Sequence, residues 1–249
     1  MPRIDFNCDL GEGCGDDAAI MPWISSANIA CAAHAGDDAT IRETLRLCHA
    51  HGVVVGAHPG YADREHFGRR ELALPHAELV ALVRDQIALM DRLAREQGLT
   101  LRHVKPHGAL YNQSAREPDI AAAIAEAVRD HDPSLLLVGM SGTVSIEAAQ
   151  AAGLRTAHEV FAERGYGADG RLLPRGTPGA VLASDAATAQ ALCFALRNAI
   201  ALHDGRTLRL QADTLCLHGD RADAAGFART LHTALTAAGV RIQPLEPLR

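Results

Sequence analysis

Lysine is all but missing from this chain. Of the 24 lysine and arginine side chains among 249 residues, 23 are arginine, and Lys105 is the single exception. A sequence so biased toward arginine that departs from the habit once points to a position needing a compact, titratable ammonium rather than a planar guanidinium. A lysine that merely closes a salt bridge near a strand end is the plainer alternative. Excess positive charge is missing too: the formal net charge is -6, the pI is about 6.1, and no basic stripe or polybasic run occurs. Nucleic acid and anionic membrane surfaces are therefore poor partners, and a small molecule or another protein is the better expectation. No stretch approaches the roughly 18 apolar residues of a membrane span, and the opening MPRIDFNCDLGEG lacks a basic region followed by an apolar run. The expectation is a soluble, cytoplasmic protein.

The six cysteines, Cys8, Cys14, Cys31, Cys48, Cys193 and Cys216, form no C-x-x-C pair and no framework spacing, which argues against a zinc finger or a disulfide scaffold and fits a reducing compartment. Familiar catalytic signatures are absent as well. There is no G-x-x-x-x-G-K-[ST] loop, no G-x-S-x-G elbow and no H-E-x-x-H pair. Gly11-Glu12-Gly13-Cys14-Gly15 is glycine-rich but lacks the G-x-G-x-x-G spacing of a dinucleotide loop.

What is present is a regular alternation of short apolar runs and amphipathic stretches. At 48% hydrophobic and 22% charged, the chain suits one domain over residues 1–249 with a proper core. Strands are predicted at 3–8, 27–32, 53–57, 101–105, 135–138, 154–158 and 214–217, with a last short one at 240–243. Helices are predicted at about 37–52, 75–97, 118–129, 141–152, 184–203 and 222–238. Asp37 is placed to N-cap the first helix and Gly52 to stop it. Residues 165–179, GYGADGRLLPRGTPG, hold five glycines and two prolines and read as a long irregular loop of the kind that forms lids and binding walls.

Alternation of this kind means a parallel sheet covered by helices. Polar signatures follow strands one, two, three, four, six and seven. Only a closed barrel brings so many strand ends to one mouth, whereas an open sheet concentrates them at one switch point. The expected fold is an irregular TIM-like (β/α)7 barrel. Gathered at its mouth are Asp9 and Glu12, His34 and Asp37, His58, Lys105 and His107, Glu159 and Arg164, and His218 and Asp220, with Arg69 in the loop beyond strand three. His49, His51, His66, His76, His131, His203 and His232 fall on helices or connections, while His103 and His158 alternate with core positions and read as structural. Cys8, Cys31 and Cys216 also end strands and read as small buried residues. A ring of carboxylates and imidazoles with one lysine and some arginines suits attack of water on a carbonyl. It equally suits a divalent metal with an open coordination position.

These residues lie in motifs that resemble the LamB/YcsF family, whose members are the A subunits of 5-oxoprolinase. The motifs are NCDLGEG at 7–13, NIAC and HAGD at 28–37, GAHPGYAD at 56–63, FGRR at 67–70, KPHGALYN at 105–112, E-x-F-A-x-R-x-Y at 159–166 and CLHGD at 216–220. The family usually has Asp where Glu163 stands and a bulkier pair where Ala32 and Ala33 stand; the second departure is expected to widen the space near His34. The resemblance implies a barrel of the glycoside hydrolase/deacetylase type. It also implies opening of 5-oxoproline to glutamate with ATP hydrolysis, together with two partner subunits. In that picture Lys105 and Arg164 bind carboxylate or phosphate, His58 and His107 polarise or protonate leaving groups, and Asp9 or Glu12 activates water. His34, Arg69, Glu159, His218 and Asp220 then line the substrate site. A free-standing metal-dependent amidohydrolase and a non-catalytic subunit that presents the lactam are the alternatives.

Overall fold

A computed structural model describes residues 1–202, 205–219 and 223–245. From the N-terminus, β1 (Arg3–Leu10) leads through a one-turn helix, α1 (Asp17–Ile20), to β2 (Ser26–Ala30), α2 (Asp38–His51) and β3 (Val54–His58). The long α3 (His76–Glu96) returns the chain to β4 (Leu101–Val104), which is followed by two helices, α4 (Gly108–Ser114) and α5 (Pro118–His131). Next come β5 (Leu136–Met140), α6 (Val144–Ala151) and β6 (Arg155–Phe161). After α7 (Ser184–Arg197), a small hairpin of β7 (Ala199–Ala201) and β8 (Thr207–Arg209) precedes β9 (Thr214–His218), α8 (Ala224–Ala237) and β10 (Arg241–Ile242).

Strands β1 to β6 pair in chain order and β9 pairs with both β6 and β1, so seven parallel strands close into the expected barrel. The short β10 adds to the beginning of β1 at Arg3 and Ile4. Helices cover the outside. Among the described residues, no helix is long and apolar enough to cross a membrane.

Local chemistry explains most boundaries. Asp37 Oδ1 accepts from the Thr40 amide at 2.8 Å, the cap that the sequence predicts, and Gly52 ends α2 in the left-handed conformation. Other boundaries differ from expectation. The helix predicted over 184–203 stops at Arg197, because Asn198 turns left-handed at φ 50° and starts the hairpin; His203 lies outside the described residues. Between β4 and the helix predicted at 118–129, the chain forms a further helix, α4, that begins at Gly108. Strand β6 runs three residues past its predicted end, which puts Glu159 inside the barrel wall rather than in the loop after it.

The barrel interior is polar, and the period-two geometry of a strand is the reason. On β1, Ile4, Phe6, Cys8 and Leu10 belong to the apolar layer, while the alternate residues Asp5, Asn7 and Asp9 meet polar partners inside. Asp5 accepts from Ser25 Oγ at 2.7 Å, Ser26 Oγ at 2.8 Å and Thr214 Oγ1 at 2.5 Å. Asn28 Nδ2 donates to Asn7 Oδ1 at 2.7 Å and Asp9 Oδ1 at 2.8 Å, and the His103 ring donates to Asn28 Oδ1 at 2.8 Å. Groups removed from water in this way are tolerable only because each finds a partner. Gly56 makes room for the His103 ring, since a Cβ built there would lie 2.0 Å from His103 Nε2.

Gly56→Ala is therefore expected to destabilise the barrel by about 1–3 kcal/mol or more, as overpacking does. Gly226→Ala, on the exposed face of α8 where nothing lies within 4 Å of the added Cβ, is expected to stabilise by about 0.5–1 kcal/mol. Urea denaturation of both variants against the parent measures the two shifts.

Candidate active site at the barrel mouth

Lys105 follows β4 and reaches into the barrel, 2% exposed. Its Nζ lies 2.8 Å from Asp9 Oδ1, 2.9 Å from Glu159 Oε1, 3.1 Å from Cys216 Sγ and 3.4 Å from Asn7 Oδ1. Burial alone would lower the ammonium pKa. The Asp9, Cys216 and Glu159 interactions outweigh it and hold the pKa well above the ordinary lysine value, so the group stays charged. Asp9 shows the mirror image. Burial pushes its carboxyl pKa up, but the His58 and Lys105 charges pull it well below the usual carboxylate range.

A chain of imidazoles sits beside this pair. His58 Nδ1 faces the Lys105 carbonyl at 2.7 Å and His107 Nε2 faces the Phe67 carbonyl at 2.9 Å, so both of those nitrogens must donate. The remaining two, His58 Nε2 and His107 Nδ1, lie 3.0 Å apart and need a proton between them. Burial and the neighbouring His58 and His34 press the His107 pKa far down, and His58 Nε2 also lies 3.3 Å from Asp9 Oδ2. Phe67 holds its carbonyl in place from a left-handed conformation at φ 55°, just before Gly68, where a Cβ would come 2.8 Å from His34 Cβ. His34 stacks flat on His107, with ring centroids 3.8 Å apart and 4° between planes, and burial pushes its pKa down to about 3. Glu12 Oε1 lies 3.7 Å from His34 Nε2 and 3.4 Å from His107 Nδ1.

A cavity of about 390 Å³ opens over the assembly. Asp9, His58, Lys105, His107, Arg69, Arg164 and His218 line it. Glu12, His34 and Glu159 are 8%, 1% and 0% exposed and stand behind that lining rather than in it. The widening expected from Ala32 and Ala33 is not seen, because His34 is packed against Gly60, Gly68 and His107. Asp220 lies outside the described residues. Arg164 spends Nε on the Ala180 carbonyl and Nη2 on the Leu173 carbonyl, so it ties down the long loop as well as facing the cavity. At the end of β9, His218 bonds through Nδ1 to Glu163 Oε1 and stacks on Phe161. Burial works against its protonation, and the Glu163 carboxylate more than compensates, raising the pKa above the ordinary value.

Several contributors lack a titratable signature, and nothing in the sequence singles them out. Asn7 and Asn28 orient Asp9 and Glu159, and their only signal is membership in the NCDLGEG and NIAC motifs. Tyr111, Arg116, Arg171 and Arg175 also line the cavity, the last two from the glycine-rich loop. Cys216 is a buried thiol whose pKa burial pushes well above the usual value despite Lys105, so it serves as a neighbour of the ammonium and not as a nucleophile.

Two clusters among the described residues carry metal-binding atom types within 4.8 Å of one another: Asp9, Cys216 and His218, and Glu12, His34 and His107. Neither fits an ion. In the first, the Lys105 ammonium already contacts Asp9 and Cys216. In the second, the parallel rings of His34 and His107 send their in-plane lone pairs side by side, and both His107 nitrogens are already engaged.

The LamB/YcsF family description matches residues 4–249. This chain belongs to the LamB/YcsF family. A LamB/YcsF relative from Bordetella pertussis, named as the A subunit of 5-oxoprolinase, is 47% identical over 248 residues, covering 97% of this chain and 98% of the relative. The crystal structure of the lactam utilization protein from Thermus thermophilus superposes with a TM-score of 0.93 at 43% identity, covering 98% of this chain and all of that one. The peptidoglycan deacetylase PdaC of Bacillus subtilis shares the fold alone, with a TM-score of 0.51 at 12% identity, covering 98% of this chain and 87% of that one.

Two outcomes follow for this LamB/YcsF site. Lys105→Met strands two buried carboxylates and is expected to cost about 3–5 kcal/mol, read from a denaturant melt. Acid sensitivity is the second. His34 and His103 are held neutral, with pKa values pushed to about 3 by burial, whereas in the unfolded chain they titrate near 6.5. Their stabilisation is thus present above about pH 6.5 and is lost as the pH falls toward 3, by about 1.4 kcal/mol per pH unit for each group. The raised His218 pKa works with the opposite sign: its stabilisation is fully present below about pH 6.5 and is lost as the pH rises, so it opposes this slope only in the upper part of the range. Stability curves between pH 7 and 5 should fall steeply for the parent and less steeply for His34→Gln.

Proposed function

We propose that this chain is the lactam-opening subunit of an ATP-dependent 5-oxoprolinase, converting 5-oxo-L-proline to L-glutamate. The observation that carries the reading is 46–47% identity over 97% of the chain to proteins named as the A subunit of 5-oxoprolinase, together with a cavity lined by acid–base and cationic groups. The word subunit in those names implies an assembly, and two partner subunits are the proposed complement.

A five-membered lactam is resonance-stabilised, and its opening needs coupling to ATP. The chain has no G-x-x-x-x-G-K-[ST] loop, so the nucleotide is handled with or by the partners. The species that reaches this cavity is then the lactam phosphorylated on its carbonyl oxygen. Arg69, Arg171 and Arg175 lie along the cavity wall where they can meet phosphate and the substrate carboxylate. Two imidazoles supply the proton traffic. His218, oriented through Nδ1 by Glu163, takes a proton from water at Nε2 in its neutral form as the water oxygen bonds to the lactam carbon. His58 gives a proton to the ring nitrogen as the C–N bond breaks. The acyl phosphate left by that step loses phosphate to water and yields glutamate. Asp9 has too low a pKa to be an effective base; it holds His58 and Lys105 in place. Glu12, set behind the lining, is a poor candidate for activating water.

Glutamate release from 5-oxoproline is measured for the purified chain with and without ATP and with and without its partners. Turnover is expected only when both are present. His58→Gln and His218→Gln are each expected to lower the rate by about 100-fold or more, with the fold unchanged by circular dichroism. Lactam opening by the chain alone, indifferent to ATP, rejects the proposal.

A further inference from the structure

We propose that the Lys105 ammonium is the resident cation of this barrel. It occupies the place in which Asp9, Glu159, Cys216 and His218 would otherwise enclose a divalent metal ion, and the native chain takes no metal at its mouth. This goes beyond the reading of the reaction and is tested by a different observable.

Three observations converge on it. The first is the donor set. Two carboxylates, a thiol and an imidazole arrive from β1, β6 and β9, and the Asp9, Cys216 and His218 donor atoms lie within 4.8 Å of one another. Oxygen, sulfur and nitrogen ligands in that number are what zinc or cobalt accepts. The second is what fills the centre. Nζ contacts Asp9, Glu159 and Cys216 at 2.8, 2.9 and 3.1 Å, a shell about 0.7 Å wider than a zinc–oxygen bond requires. The set is therefore expanded around an ammonium and not contracted around an ion. The third is charge. The Lys105 ammonium makes ion pairs with both Asp9 and Glu159, so the buried carboxylates already face a resident positive charge where a metal ion would otherwise supply it.

This also accounts for the solitary lysine in an arginine-rich chain. The space between Asp9, Glu159, Cys216 and Asn7 suits a compact ammonium whose donors radiate from one atom, whereas a guanidinium spreads its donors over a plane. The second donor cluster, Glu12, His34 and His107, offers no rival position, because its two rings are parallel and His107 is committed to His58 and the Phe67 carbonyl.

The test is metal occupancy. Wild type and Lys105→Ala are dialysed against Co²⁺, passed through a desalting column and examined by elemental analysis and absorption spectroscopy. Wild type is expected to retain no stoichiometric ion and to show no near-ultraviolet thiolate-to-cobalt band. Lys105→Ala, with the ammonium gone and its donors left behind, is expected to bind one Co²⁺ per chain, to show that band, and to lose it when Cys216→Ser is added. Co²⁺ should raise the melting temperature of Lys105→Ala and leave that of wild type unchanged. A thiolate–cobalt band in wild type, or a folded Lys105→Ala that takes up no ion, overturns the proposal. Should Lys105→Ala fail to fold even with Co²⁺ present, the wild-type measurement decides alone. Occupancy is read without turnover, so this inference and the lactam-opening one can fail separately.

Discussion

The interaction on which the rest of this structure depends is the burial of one ammonium between two carboxylates. Lys105 with Asp9 and Glu159 ties β4 to β1 and β6, three strands spread around the barrel, at a depth where water cannot substitute for a lost partner. Ion pairs of this kind contribute little net stability when intact, because desolvation offsets the attraction, but they are severe to break. What such a pair supplies is specificity. Only the register that brings Asp9, Lys105 and Glu159 to one level leaves no buried charge alone. The polar mouth and the closure of the barrel are therefore one problem with one solution.

Around that centre, the barrel departs from the usual packing of branched aliphatic side chains in layers. Asp5, Asn7 and Asp9 on β1 face inward with Ser26 and Asn28, His103, Thr214 and Cys216, and they form a continuous hydrogen-bonded column from the base of the barrel to its mouth. The apolar core lies instead between the sheet and the helices, where Phe6, Ile29, Ile41, Leu45, Ile87 and Leu215 are buried. A polar column is costly unless complete, and it holds acidic and basic groups in fixed orientation. The tautomers of His58 and His107 illustrate the second property: each is set by a main-chain carbonyl, one at Lys105 and one at Phe67, so their shared proton is positioned by the backbone.

Two residues that are neighbours in the sequence separate in the structure. Glu12 and Asp9 both belong to the NCDLGEG segment, yet Asp9 ends up among cations at the cavity and Glu12 behind it, against His34 and His107. The glycine-rich loop behaves in the opposite way. Its sequence shows only irregularity, whereas its fold brings Arg171 and Arg175 to the cavity and anchors itself through the two bonds from Arg164.

The sequence by itself determined the fold class, because strand and helix periods are local and the polar ends of successive strands recur in register, which only a closed parallel barrel can gather. It also singled out Lys105, through a compositional exception, and determined the caps at Asp37 and Gly52, through chemistry confined to a few neighbouring residues. The tertiary structure alone decided which way each inward residue is paired. That Asn28 bridges Asn7 and Asp9, that Cys216 lies against the ammonium, that His107 passes its contact to His58 and that Gly56 yields space to His103 all depend on strand register across the barrel. The end of α7 at Arg197 and the start of α4 at Gly108 were hidden for a related reason, since each is set by a single backbone choice, at Asn198 and at Gly108, that residue type permits without requiring. Long-range pairing of polar groups carries no periodicity in the chain, so it becomes visible only when the barrel closes.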